Sequence, residues 1–160
     1  MILDNYKEFL DELIKNINAK GIDLSNLYLD HLGYQASSDG DYDKLKPEFE
    51  KIGKLVSEAI VGGRRVGIFK FNTPLIYNGK EIPAVELVAP KEGQVCPSAL
   101  EHCEFVLDTD FETFVKKYSN IQFDTSKINQ PTFPMVTLKL SDATQVKFHP
   151  TPVLEIVGEK

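Results

Sequence analysis

"LDHLGYQ" (Leu29–Gln35) and "LEHCEFVL" (Leu100–Leu107) repeat one pattern of leucine, acid and histidine in two strand-like segments 71 residues apart. Each is followed by a helical pattern and then by further strand-like runs, so the pair marks the first strand of two similar modules. A module of this kind leaves an incomplete sheet, which gains burial and loses an open edge by pairing with its copy. The expected architecture is therefore α+β. It comprises an N-terminal helix and connection over 1–26, a first βαβββ module over 27–90 and a second over 91–160, with the two modules forming one curved mixed sheet.

The local signals fill in that plan. Tyr6, Phe9, Leu10, Leu13, Ile14 and Ile17 recur at spacings of three and four, which predicts an amphipathic helix from Asp4, its N-cap, to Ala19. In the first module Tyr42, Leu45, Phe49, Ile52 and Val56 predict a second helix, one that tolerates Pro47 only near its start and is weakened slightly by Gly53. Strands follow in "VGGRRVGIFKFN", turning at Gly62–Gly63, and in "IPAVELVAP" after Asn78–Gly79. The second module predicts a helix in "DTDFETFVKKYSN", opened at Asp108 and Thr109, then strands at "IQFD", "MVTLKL" and "TQVKFHP". A short last helix is expected from Pro152 to Val157, with Pro152 at its first position.

Composition narrows the function. At 160 residues and 18.0 kDa, with 42% hydrophobic and 26% charged residues, the chain has the makeup of one globular domain. A net charge of -6 and a pI near 5.1 argue against sequence-independent nucleic-acid binding and against a polybasic membrane anchor. No apolar run approaches the ~20 residues of a membrane span, and the N-terminus carries acids where a signal peptide carries bases, so a cytoplasmic protein is expected. Cys96 and Cys103 have no paired C-x-x-C spacing, which points away from a disulfide framework or a cysteine zinc site.

Strand alternation bears most directly on chemistry, because neighbouring side chains on a strand face opposite ways. His31, Gly33 and Gln35 share one face, as do Ala84, Glu86 and Val88, His102, Glu104 and Val106, and Gln145, Lys147 and His149. The opposite faces, such as Leu32 and Tyr34 or Val85 and Leu87, are apolar and suited to covering helices. One face thus carries all three histidines. Taken singly, each polar position reads as a solvated sheet face. Taken together, His31, Glu86 and His102 read as an imidazole–carboxylate ligand set for a divalent Zn, Fe, Mn or Ni ion. With open positions, such an ion polarises a substrate oxygen or activates water or dioxygen.

Two βαβββ units with a histidine on each first strand and Glu86 on the fourth strand of the first resemble the vicinal oxygen chelate superfamily, which includes glyoxalase I, extradiol dioxygenases and bleomycin resistance proteins. The ordered run of "DH" at 30–31, "GR" at 63–64, "FK" at 69–70, "VEL" at 85–87, "EHCE" at 101–104 and "KFHP" at 147–150 is similar to the YecM family of small bacterial proteins. The superfamily resemblance implies metal ligands from the first and fourth strands of each half, hence His31, Glu86 and His102. The fourth place falls on Lys147, whose ammonium has no lone pair to give. The resemblance then leaves His149, on the same face, or water as fourth ligand, and Lys147 as an anion-binding or catalytic group. Glu104 becomes a ligand or general base. Arg64, Lys70 and Gln35 become substrate-binding residues, Arg64 and Lys70 being equally readable as solvated cations.

The expected function is a metal-dependent lyase, isomerase or dioxygenase acting on a small oxygen-bearing molecule. The alternative is a non-catalytic small-molecule-binding protein using the same cavity, and a further one is an interaction module that docks a partner through a sheet edge or the N-terminal helix. Either a monomer or a homodimer is compatible with paired modules.

Overall fold

The computed structural model of the chain describes residues 1–159. Among these, the elements run α1 (Tyr6–Ala19), β1 (Tyr28–Gln35), α2 (Asp39–Glu50), β2 (Gly53–Val61), β3 (Arg64–Tyr77), β4 (Lys80–Val88), β5 (Ala99–Val106), α3 (Phe111–Lys117), β6 (Val136–Lys139), β7 (Gln145–His149) and α4 (Val153–Ile156). The α+β mixed sheet expected from the sequence forms, with seven strands in the order β2-β3-β4-β1-β5-β7-β6. β1 pairs antiparallel with β5 at its centre. Each of these two strands also pairs in parallel with the last strand of its own half, β1 with β4 and β5 with β7.

Helices cover one sheet face. Leu10, Leu13 and Ile17 of α1, Tyr42 and Phe49 of α2, and Phe114 of α3 pack with Leu32, Val85, Leu87, Cys103 and Phe148 in a single buried core. These strand residues are the apolar set of the alternation. The other face carries a small apolar cluster, Ile68 and Ala84 against Val153 of α4, and beside it a group of buried polar side chains.

Several elements differ from the sequence pattern. α1 starts at Tyr6, and its N-cap is Asn5, without a side-chain cap bond; Asp4 instead pairs with the N-terminal amine at 2.9 Å. α2 ends at Glu50 instead of continuing to Val56, so Gly53 and Val56 belong to β2. The β-branched, glycine-bearing run after Phe49 favours an extended chain once β3 is available to pair with it. Pro47 lies in the last turn of α2, where it withholds only the amide that would bond to the Asp43 carbonyl. Ser38 caps α2, accepting from the Asp41 amide at 2.9 Å. α3 is capped by Asp110, not by Asp108 or Thr109, and Pro152 is the N-cap of α4, which therefore starts at Val153, one place later than expected. "IQFD" contributes a single bridge, Asp124 to Thr137, in place of a strand. The turns at Gly62–Gly63 and Asn78–Gly79 form as read, with positive φ at all four residues.

Candidate metal centre

The register places the histidines. Across the β1–β5 seam His31 faces Glu104 and Gly33 faces His102. The pairing shifts between Leu29 and His31 on β1 and across Glu101 on β5, so each acid that precedes a histidine falls in an irregularity of its strand. Strict alternation would send Asp30 and Glu101 to the helical face. The irregularity brings them beside the imidazoles instead, as bulges do when they re-aim a side chain. Asp30 Oδ2 lies 2.8 Å from His31 Nδ1, and Glu101 Oε1 lies 2.5 Å from His102 Nδ1. Glu101 is itself held by Gln145, whose Nε2 donates to Oε2 at 2.7 Å. The repeated acid–histidine pair is thus one device used twice: a carboxylate fixes Nδ1–H and turns the Nε2 lone pair inward.

Gly33 completes that device. A side chain there would place its Cβ 1.9 Å from the His102 ring, so the imidazole occupies the space that the missing Cβ leaves.

Both Nε2 atoms are buried and lack a hydrogen-bond partner among the described residues. Glu86 spans them, with Oε2 3.9 Å from His31 and Oε1 3.6 Å from His102. Glu104 Oε1 is 3.4 Å from His31 Nε2. His31, His102 and Glu104 each offer a ligand atom within 4.8 Å of the others, all three residues being buried. Two free imidazole nitrogens among carboxylate oxygens, with no thiolate, form a donor set suited to Zn, Fe, Mn or Ni.

The same carboxylates draw a proton onto the His31 imidazole, so that an incoming ion would have to displace it from Nε2. Burial disfavours a charged His31, yet Glu104 and Asp30 outweigh it and raise its pKa well above 6.5. Glu104 is fully buried, but His31 and His149 hold it ionised, well below the usual carboxylate range. Burial likewise opposes ionisation of Asp30 and Glu101, and the neighbouring imidazoles nevertheless bring both down to about 2. Asp30, Glu101 and Glu104 are thus held ionised, Glu86 adds a fourth carboxyl group, and Lys147 pairs in register with Glu104. With neutral imidazoles the cluster keeps an excess of negative charge that a divalent ion would offset.

The remaining sequence candidates divide. His149 does reach the cluster, but from behind: its Nδ1 is 2.9 Å from Glu104 and its Nε2 is 3.2 Å from Asp30. It approaches neither Glu86 nor His102 within ion-pair distance among the described residues. Asp30 Oδ2 also accepts from the Val153 amide at 2.9 Å, tying α4 to the site. Lys147 pairs in register with Glu104, is 4% exposed, and makes no hydrogen bond or ion pair among the described residues. A pocket of about 60 Å³ opens beside Glu86, lined by Arg64 and Lys147 together with Val66, Phe133 and Met135. Lys70 lies elsewhere, 3.9 Å from Glu159. Gln35 is buried and donates to the Ala36 and Val88 carbonyls, at 2.9 and 3.2 Å. Asp30, Glu101 and Gly33 are absent from the sequence-derived set. The signal for the two acids was available in the repeated acid–histidine pair, and that for Gly33 lay in its place opposite His102.

The YecM protein family model matches residues 1–147. Protein YecM of Escherichia coli (strain K12) is 27% identical over 99% of this chain and 90% of its own length. The solved structure of the structural-genomics protein EC4020 superposes with a TM-score of 0.78 at 27% identity, covering 98% of this chain and 90% of that one. A hypothetical protein from Bacillus halodurans C-125 shares the fold at a TM-score of 0.53 and 14% identity, over 79% of this chain and 96% of its own. With the match running from the first residue through β6 and into β7, the chain belongs to the YecM family.

Proposed function

We propose that the protein is a metal-dependent enzyme of the glyoxalase and dioxygenase type acting on a small oxygen-bearing molecule. The observation that carries this reading is the pair of buried, unpartnered Nε2 atoms, each fixed through Nδ1 by the preceding carboxylate and both facing Glu86. His31, His102 and Glu104 would hold the ion, with Glu86 as the fourth ligand on the pocket side. When bound, such an ion supplies Lewis acidity toward a substrate oxygen or toward water.

The chain's own groups do the rest. Asp30 and Glu101 keep the protons on Nδ1, so that both imidazoles present a lone pair. Glu104 fits the ligand role better than that of a base, since a carboxylate held far below its ordinary pKa accepts protons poorly near neutrality. Glu86 is the carboxylate that an entering molecule meets, because it lines the pocket. Phe133, Met135 and Val66 limit water there, and Lys147, at the strand position matching Glu86, presents a cation. That lysine also favours the second reading, a binding protein that holds an anionic molecule without turnover.

The test is metal content by plasma mass spectrometry on untagged protein, wild type beside His31→Ala, Glu86→Ala and His102→Ala. Near-stoichiometric metal that vanishes in the His102 variant, with the fold intact by circular dichroism, is the expected result. No metal in the wild type after reconstitution with iron, zinc, manganese or nickel overturns the reading.

A further inference from the structure

The pocket beside Glu86 is lined by Arg64, Lys91, Lys127 and Lys147, and Glu86 is its one acidic wall residue. This concentration of cations sits in a chain whose net charge is -6. None of the four makes an ion pair within 4.0 Å among the described residues, although ion pairs form elsewhere on the surface, as at Lys46–Glu58 and Arg65–Asp43. Lys147 is the most telling. The residue is 4% exposed, so its aliphatic stem is buried, while its ammonium, with no hydrogen bond or ion pair among the described residues, opens on the pocket. Lys127 feels its neighbours directly: burial, then Lys147, Lys91 and Arg64, depress its ammonium pKa. Four cations brought together around a pocket with Glu86 as its one acidic wall residue make a receptor for negative charge.

We propose that this pocket binds a small dianion, a dicarboxylate or a phosphate-bearing compound, between Lys147 and Lys127, with Arg64 and Lys91 at its mouth. The proposal deepens the enzyme reading and rests on it in taking the pocket as the approach to the histidine–carboxylate cluster. A volume of about 60 Å³ has room for about four to six water-sized groups. That suits a carboxylate or phosphate head with a short oxygen-bearing stem. Glu86 excludes anions from the metal side, which orients the charged end of the ligand toward the lysines and leaves its other end toward the imidazoles.

The experiment is isothermal titration of the full chain with malonate, with inorganic phosphate and with acetate as the monoanion control, using both metal-free and zinc-treated protein. The same titrations on Lys147→Met and Lys127→Gln follow, with metal content measured on every sample. The expected result is a malonate or phosphate affinity well above that for acetate, falling with added salt. It should drop about 10- to 100-fold in each lysine variant, the loss that attends removal of one charge-assisted bond. The better of the two probes distinguishes a dicarboxylate from a phosphate ligand. No preference for dianions over acetate, or wild-type affinity in both variants, overturns the proposal. Since Lys127 is only partly buried, its variant remains informative if Lys147→Met fails to fold. Metal bound without dianion binding leaves the metal centre standing and sinks this inference; dianion binding that needs both lysines in a protein that takes no metal does the reverse.

Discussion

Replacing Gly33 by alanine tests the geometry of the centre without touching any of the proposed ligands. The new methyl would lie 1.9 Å from His102 Cε1, whereas ordinary contact begins near 3.4 Å, so the ring must retreat by about 1.5 Å. The cause is the ring alone, since the Gly33 backbone is not in the left-handed region. A retreat of that size breaks the 2.5 Å contact with Glu101 and carries Nε2 away from Glu86, whereas metal–ligand distances tolerate about 0.2 Å. Overpacking costs about 1–3 kcal/mol, and alanine's better strand conformational entropy returns about 0.5–1 kcal/mol of it. Urea unfolding followed by circular dichroism should therefore show a net loss of about 1–2 kcal/mol, while zinc affinity, measured by competition with a chromophoric chelator, falls at least about 100-fold. The double variant Gly33→Ala, His102→Ala frees the methyl's space, so it should regain most of the stability without regaining zinc, a coupling that a double-mutant cycle reads directly. Wild-type zinc affinity in Gly33→Ala would refute the placement of the His102 ring.

Other expectations follow from the same contacts. Asp30→Asn and Glu101→Gln should each weaken metal binding about 10- to 100-fold in a chelator competition. Asp30→Asn should be the less stable of the two by thermal melting, because Asp30 also receives the Val153 amide. His149→Gln should keep near-wild-type metal content, since His149 meets Glu104 and Asp30 but not Glu86; metal loss equal to that of His102→Ala would make it a ligand. Away from the site, Tyr42 donates to Glu58 at 2.7 Å and holds that carboxylate below its ordinary pKa. A lowered carboxylate pKa contributes stability above the unfolded value that is lost as pH falls through the folded one. The difference between wild type and Glu58→Gln should thus be flat from about pH 5 to pH 8, under about 1 kcal/mol for so exposed a carboxylate, and should shrink below pH 4.5. A difference that grows on acidification would contradict the assignment.

Alternation along the strands was enough to gather His31, Glu86, His102, Glu104 and Lys147 on one face, because β4, β5 and β7 keep a regular ladder through those residues. It failed at Asp30 and Glu101, since a strand irregularity depends on how β1 and β5 meet across some 70 positions of chain, and no local period encodes that. α2 was read too long because Ile52 and Val56 satisfy helical spacing as well as strand propensity, and only the presence of β3 decides between them. "IQFD" has the composition of a strand but finds one partner position at Thr137. Lys91 and Lys127 lie outside every strand and helix, where periodicity has nothing to say, so their meeting with Arg64 and Lys147 became visible only in three dimensions. Fold class and the gathering of the histidines with Glu86 and Glu104 were legible; the neighbouring carboxylates Asp30 and Glu101 and the cationic pocket depended on tertiary pairing.

The β1–β5 seam has a kinetic meaning. His31 and Glu86 precede residue 90 and His102 and Glu104 follow it, so no ion can touch a full set of donors until the two halves have met. Bound metal would then act as a clasp fastened after assembly. It should leave the refolding rate nearly unchanged while slowing unfolding in proportion to its affinity, as expected for contacts absent from the folding transition state.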